Sequence, residues 1–234
     1  MAQARGGMNR FYTLLIVVGF GGLAVLAFLA LRRQKDTSIP AAVTIQPSDT
    51  SGFHGYLLGS DSAPVEITEY ADFQCPACEN FETVQFPAVR DRLVRSGKVR
   101  WRYRDFPLEV HQHARLAAHS AACADEQGKY WEQHRRLYGG QLDWSTRSSA
   151  AGTFRGYAKE EGLDLGRYDE CMKTARYAGR IQASFQEGTR VGVEATPSFI
   201  IGARLYRGVQ TSDEITRLVD SLIGMQAQAK PVTP

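Results

Sequence analysis

The chain has 234 residues, with 28 Lys or Arg against 25 Asp or Glu, a formal net charge of +3 at pH 7. The basic excess is local: residues 1–36 hold five basic residues and one acid, which leaves 23 basic and 24 acidic residues in 37–234. That part is near neutral and has no bulk positive charge to gather nucleic acid, so this class of partner is excluded; the length allows one large domain or two small ones.

The first predicted element is an uncharged run, Phe11 to Leu31, FYTLLIVVGFGGLAVLAFLAL. As a helix it would be roughly 30 Å long, enough to cross a bilayer. Gly19, Gly21 and Gly22 suit a membrane span better than a soluble helix. The alternative is a cleaved signal peptide, but no A-x-A site ends the run and Arg32-Arg33 follow at once. The reading is therefore a cytoplasmic N-terminus over 1–10, a single-pass anchor over 11–31 and an extracytoplasmic domain. Arg32, Arg33 and Lys35 beyond the span count against that orientation. The cysteine chemistry described next, and a long domain able to translocate despite nearby charge, outweigh them. Residues 32–52, rich in Pro, Ser and Thr, read as a linker lifting the domain off the membrane.

Pro64 to Phe73 reads as a strand. Val65, Ile67, Glu69, Ala71 and Phe73 share a face, so Glu69 is the lone acid in an apolar row. Cys75-Pro76-Ala77-Cys78 follows directly and opens a helix. Cys75 falls at the N-cap, where exposure, unpaired amides and the helix dipole favour a thiolate. Pro76 suits the first helical position, and Cys78 one turn on can attack a mixed disulfide on Cys75. Half of a zinc site is the alternative. It lacks a second close pair of ligands, since Cys123 and Cys171 lie far away and far apart. Pro87 is expected to bend this helix after Phe86.

Val99 to Phe106 reads as a second strand, parallel to the first through a right-handed crossover. From His111 to about Val191 the pattern is helical, with Ala114, Ala117, Ala118, Ala121 and Ala122 on a tightly packed helix. Further helices are expected over 148–161, 165–175 and 179–192. Trp131, Tyr138 and Trp144 read as core of this block. His111, His113 and His119 invite a metal reading, strongest for His119 with Cys123 on one helix face, but two ligands do not make a site. A helix start and surface positions account for these histidines, so no metal is expected. Pro197–Ile201 and Arg204–Gly208 read as a hairpin, and Ser212-Asp213-Glu214 caps a last helix ending near Gly224. Residues 225–234 read as a flexible tail.

The order is βαβ, a helical block, then ββα: an α/β thioredoxin fold with an inserted helical domain, preceded by one transmembrane helix. Its first part spans 53–110, the insertion 111–191 and the second part 192–224. From Gly59 to Gly224 the chain resembles the DsbA-like thiol–disulfide oxidoreductases of the bacterial cell envelope. The matching stretches are Ala63-Pro64-Val65-x-Ile67, Glu69-Tyr70-x-Asp72-Phe73-x-Cys75-Pro76-x-Cys78, Phe106-Pro107-Leu108-x-x-His111, Ala121-Ala122-Cys123-Ala124 and Gly192-Val193-x-x-Thr196-Pro197-Ser198-Phe199.

The resemblance implies that Cys75 attacks and Cys78 resolves, as the helix geometry also suggests. It implies a cis Thr196-Pro197 bond against the CxxC, with Thr196, Pro197, Pro76 and Ala77 meeting the substrate. It places a buried acid at Glu69, whose apolar neighbours would raise its pKa and which would relay protons to Cys78. The residues alone leave Cys123 and Cys171 as free thiols, a relay pair or a bridge; the resemblance favours a structural disulfide. It further implies no cofactor beyond the Cys75–Cys78 disulfide, exported protein thiols as substrates, and a DsbB-like or VKOR-like membrane oxidase as partner. A monomer is expected, since no dimerisation domain is visible. A tethered reductase and a copper or zinc carrier are the alternatives. The Pro76-Ala77 dipeptide lacks the histidine of the strongest oxidants, which leaves Cys75 one stabilising group short.

Overall fold

The structure, a computed structural model, describes residues 12–22, 39–40 and 43–229. Residues 1–36 and 37–234 form separate compact units. The first contributes a helix over 12–22 with exposed side chains. Among the described residues no helix is long and apolar enough to cross a membrane. The rest of the expected 11–31 span, and residues 1–10, lie outside the described residues.

The second unit is built on a five-stranded sheet of order β1-β3-β2-β4-β5. The strands are β1 Tyr56–Leu58, β2 Val65–Ala71, β3 Val99–Asp105, β4 Ser198–Ile201 and β5 Arg204–Arg207. As expected, β2 and β3 are parallel, and β4 and β5 form an antiparallel hairpin beside β2. The edge strand β1, antiparallel to β3, is an addition. Gly59 ends it at φ +107°, where a Cβ would lie 2.8 Å from the Val99 carbonyl, so a side chain there is excluded.

Helix α1, residues 76–94, connects β2 to β3. It changes to i→i+5 bonding over Phe81–Gln85, just before Pro87, which has no N–H to continue the α pattern. The insertion comprises α2 Ala114–Asp125, α3 Tyr130–Gly139, α4 Ala151–Glu160, α5 Leu165–Lys173 and α6 Ala178–Arg190. Helix α7, Ser212–Ala229, closes the fold. It runs past the expected end at Gly224, because Met225 to Ala229 are good helix formers and Gln226 donates to the Pro64 carbonyl. The expected tail is therefore helical as far as Ala229.

The linker also differs from expectation. Pro47–Thr50 forms a short helix, its first turn closed by a reciprocal bond pair between Gln46 and Asp49. It packs on α6, and Ile39 is buried in the core. The described part of this stretch thus lies on the domain, while 32–38 and 41–42 lie outside the described residues.

Two apolar layers flank the sheet. Ile67, Trp101 and Phe199 pack against Phe81, Phe86 and Val89 of α1 and Ile215 and Val219 of α7. Phe73 and Tyr103 pack against Tyr138, Trp144 and the rest of the insertion. Each large side chain buried in these layers contributes about 1.5–3 kcal/mol. Glu187 of α6 ties the insertion to the sheet by accepting from Arg102, Arg104 and the Tyr70 hydroxyl. The CxxC thus sits between two layers that cannot shift independently.

Candidate active site

The chain leaves β2 at Ala71 and makes a tight turn, in which the Cys75 N–H bonds the Asp72 carbonyl at 3.1 Å. Cys75 is the N-cap of α1 in extended conformation, and Pro76 opens the helix. Both cysteines are thiols in this structure. Cys78 is completely buried, while Cys75 retains 7% exposure. Cys75 is thus far less open than an N-cap position suggested, because the Thr196 loop covers it.

The two thiols are strongly differentiated. Cys75 is pulled down to about 5. The hydrogen bond from the Cys78 thiol contributes most; burial opposes it, and the Thr196 side chain and the Cys78 and Ala77 amides add to the lowering. The helix amides therefore assist, but the partner thiol leads. Cys78 is pushed well above the ordinary thiol value, first by burial and then by donating to Cys75. At neutral pH the site holds a thiolate at Cys75 and a protonated Cys78, ready for attack and for resolution.

The Thr196-Pro197 bond is cis. The Thr196 carbonyl lies 3.4 Å from Cys75 Sγ, and the Thr196 hydroxyl, buried without another hydrogen-bond partner, adds to the stabilisation of the thiolate. The Pro197 carbonyl accepts from Gly208 at 2.8 Å, which ties this loop to the end of β5. Around the pair, Pro76 is exposed, Ala77 half-buried and Pro197 buried.

Beneath them Glu69 is fully buried in the middle of β2, and burial pushes it up to about 7. Trp101 Nε1 donates to Glu69 Oε2 at 3.0 Å. Glu82 faces it from α1 and is raised further, by burial and by the charge of Glu69, so Glu82 holds its proton. His134 of α3, 3.8 Å from Glu82, is pushed down to about 3 by burial and stays neutral. Glu69 and Glu82 thus hold protonatable carboxyls side by side in an apolar layer between β2 and α1.

Comparison with known proteins agrees with this arrangement. The profile of a family described as Thioredoxin matches residues 53–221. The chain belongs to the thioredoxin family. Among curated proteins it is 36% identical over 167 residues to a Na(+)/H(+) antiporter, NhaA 3, of Salinispora tropica, covering 71% of this chain and 24% of that protein. It thus spans about a quarter of that antiporter's length. It is 23% identical to disulfide bond formation protein D of Bacillus subtilis, covering 70% of this chain and 75% of that one. Among solved structures, Chlamydia trachomatis DsbA superposes with a TM-score of 0.68 at 21% identity, covering 80% of this chain and all of that one. Oxidised BdbD of Bacillus subtilis gives 0.67 at 22%, covering 78% and 98%. These superpositions establish a thioredoxin fold with a helical insertion.

Within this thioredoxin domain, several positioning residues were not apparent from the sequence. Gln141 donates to the carbonyls of Phe73 at 2.7 Å and Cys75 at 3.1 Å. Gln74 donates to the Ser145 carbonyl and accepts from the His113 amide. These bonds lock the CxxC turn to the insertion. Glu82 did leave a signal: it lies four residues after Cys78 and so shares its helix face.

Cys123 and Cys171 are joined in a disulfide between α2 and α5, with Cα atoms 5.8 Å apart. His119 is completely buried and His113 nearly so, against the surface positions expected. Tertiary partners draw them in: His113 Nε2 meets the Arg147 carbonyl at 2.7 Å, and His119 Nε2 accepts from the Tyr177 amide at 3.1 Å. His119 lies with Cys123 and Cys171 in a cluster of metal-ligand type. Its Nδ1 therefore carries the proton, facing Met172 Sδ at 3.3 Å and Cys123 Sγ at 3.5 Å. The Cys123 and Cys171 sulfurs are bonded to each other and the facing nitrogen is protonated, so the cluster does not suit a metal in this state.

Proposed function

We propose that this chain is a protein thiol–disulfide oxidoreductase that oxidises dithiols of exported proteins through Cys75 and Cys78. The observation that carries the reading is the split between the two thiols, a stabilised thiolate at the helix start and a buried protonated thiol one turn below it. A stabilised thiolate favours the reduced form, which makes the oxidised form a better oxidant. That favours the oxidase direction over the reductase.

In the oxidised pair, a substrate thiolate attacks Cys75 Sγ; the Cys75–Cys78 bond breaks and Cys78 leaves, taking a proton through Glu69. A second substrate thiolate then attacks the substrate sulfur of the mixed disulfide and displaces Cys75 as thiolate. The substrate is oxidised by two electrons and the enzyme reduced by two. A membrane redox protein of DsbB-like or VKOR-like type would reoxidise the pair. Thr196, Pro197, Pro76 and Ala77 would line the substrate path. The apolar run at 11–31 supports a membrane tether, and the Cys123–Cys171 bridge supports an oxidising, extracytoplasmic setting.

Cys78→Ala removes the resolving thiol, so reductant-sensitive adducts on Cys75 should accumulate in cells. Thiol trapping of the wild type should find the pair mostly oxidised. A mostly reduced pair would make it a reductase. Absence of adducts, with tight copper or zinc binding through both cysteines, would replace the oxidoreductase reading by a metal carrier.

A further inference from the structure

The dipeptide between the cysteines offers no cation to Cys75. The loop between β3 and α2 supplies one. Asp72, whose side chain is fully buried, accepts from the Gln74 amide at 2.7 Å through Oδ1 and from the Leu108 amide at 2.8 Å through Oδ2. His111 Nδ1 donates to the same Oδ2 at 2.7 Å. The Asp72 carbonyl holds the Cys75 amide, so one residue positions both the thiol and the imidazole.

We propose that His111, as the imidazolium paired with Asp72, is an electrostatic positioning residue that adds to the ionisation of Cys75 set up by Cys78 and the helix start, supplying the cation that Pro76-Ala77 does not provide. This rests on the reading of Cys75 as the attacking thiolate.

An ionised carboxylate buried beside a nascent thiolate would oppose it. A cation paired with that carboxylate offsets the opposition. Because Nδ1 already carries its proton to Asp72, His111 gains and loses charge at Nε2. The hydrogen bond, and with it the loop, is the same in both states. The charged groups acting on His111 are Asp72 and Cys75, and both raise it: the Asp72 hydrogen bond contributes most, burial opposes, and the charges of Asp72 and Cys75 add. Asp105, which interacts with Asp72, is itself pushed up to about 7 by burial and so carries little charge in acid.

The signs can be followed through the pH range. Cys75 becomes a thiolate above about 5. His111, raised above its ordinary 6.5, stays charged until pH passes that higher value. The thiolate–imidazolium pair therefore exists from about pH 5 upward and dissolves as His111 deprotonates. Above that point the imidazolium charge is gone and the reduced form loses stability relative to the oxidised one.

The test uses detergent-solubilised full chain, reduced, with iodoacetamide alkylation followed against pH and mapped by mass spectrometry. In His111→Asn the Cys75 midpoint should rise by about half a unit to one unit. The pair should become about three- to tenfold harder to reduce in a glutathione buffer, the same free energy expressed as an equilibrium. A lower melting temperature with an unchanged midpoint would mean His111 is only structural and would overturn the proposal. If the variant does not fold, the wild type still decides: by linkage, NMR titration of His111 should give a higher value in the reduced protein than in the oxidised one. Equal values in both states overturn it. Alkylation at low pH on Cys78 instead of Cys75 overturns the underlying site assignment together with the proposal.

Discussion

Glu69 interrupts an apolar row of β2, and its environment explains how a carboxyl can persist there. Trp101 supplies its one strong donor and Glu82 a neighbouring proton, while burial pushes it up to about 7. The stability consequence follows from the sign. In the unfolded chain the carboxyl ionises near pH 4.5, but in the fold it stays protonated to about 7, so the native state loses stability as pH rises between those values. Glu69→Gln can still accept from Trp101 and carries no charge. At pH 8 it should be more stable than wild type by about 1–3 kcal/mol, and at pH 4 the difference should vanish. Denaturant melts at the two pH values measure this. With Glu69 as the proposed proton relay, the same variant should also slow thiol exchange, because Cys78 then gains its proton more slowly. A gain at pH 8 without slower exchange would make Glu69 a structural carboxyl alone.

Among the elements, those with long and clean patterns were legible. Val99–Asp105 alternates from Val99 to Tyr103, Val65–Ala71 places Val65, Ile67 and Ala71 on one face, and the alanines of α2 mark a close-packed helix. Edge strand β1 has only three residues, too few to alternate, and the Pro47–Thr50 helix lies in a Pro- and Ser-rich stretch that reads as linker. The CxxC and Thr196-Pro197 were legible because they are local motifs. Gln141 was not, since its bond to the Cys75 carbonyl joins residues 66 apart, a contact no local pattern encodes. The Cys123–Cys171 bridge joins α2 to α5 across 48 residues. A loop of that length gives about 4 kcal/mol of stabilisation in the chain-entropy view. Replacing both with Ala should lower the melting temperature, measured by scanning calorimetry, while dithiol oxidation continues. Unchanged melting with lost turnover would assign the bridge to electron relay.

At the scale of the molecule, the domain over 37–234 is near neutral, and the net basic excess lies around the apolar run in 1–36. That segregation suits a tether whose flanking Arg and Lys meet lipid head groups and a catalytic domain that does not. Ile39, Val43 and Phe53 pack on the core of the domain, and the Pro47–Thr50 helix packs on α6. With residues 11–31 as a tether, a membrane oxidase would meet the domain without a long diffusive search. The full chain expressed in a bacterium should sediment with membranes, resist carbonate and high salt, and be released by detergent. Protease added to intact spheroplasts should remove the domain over 37–234. A variant lacking residues 1–31 but given a cleavable export signal should be freely soluble in the periplasm, with its purified dithiol activity unchanged. Its reoxidation in cells should be slower, read as a larger reduced fraction by thiol trapping. Carbonate-extractable full chain would reduce the run at 11–31 to a peripheral contact. Full reoxidation of the untethered variant would show that proximity to the membrane does not set the rate.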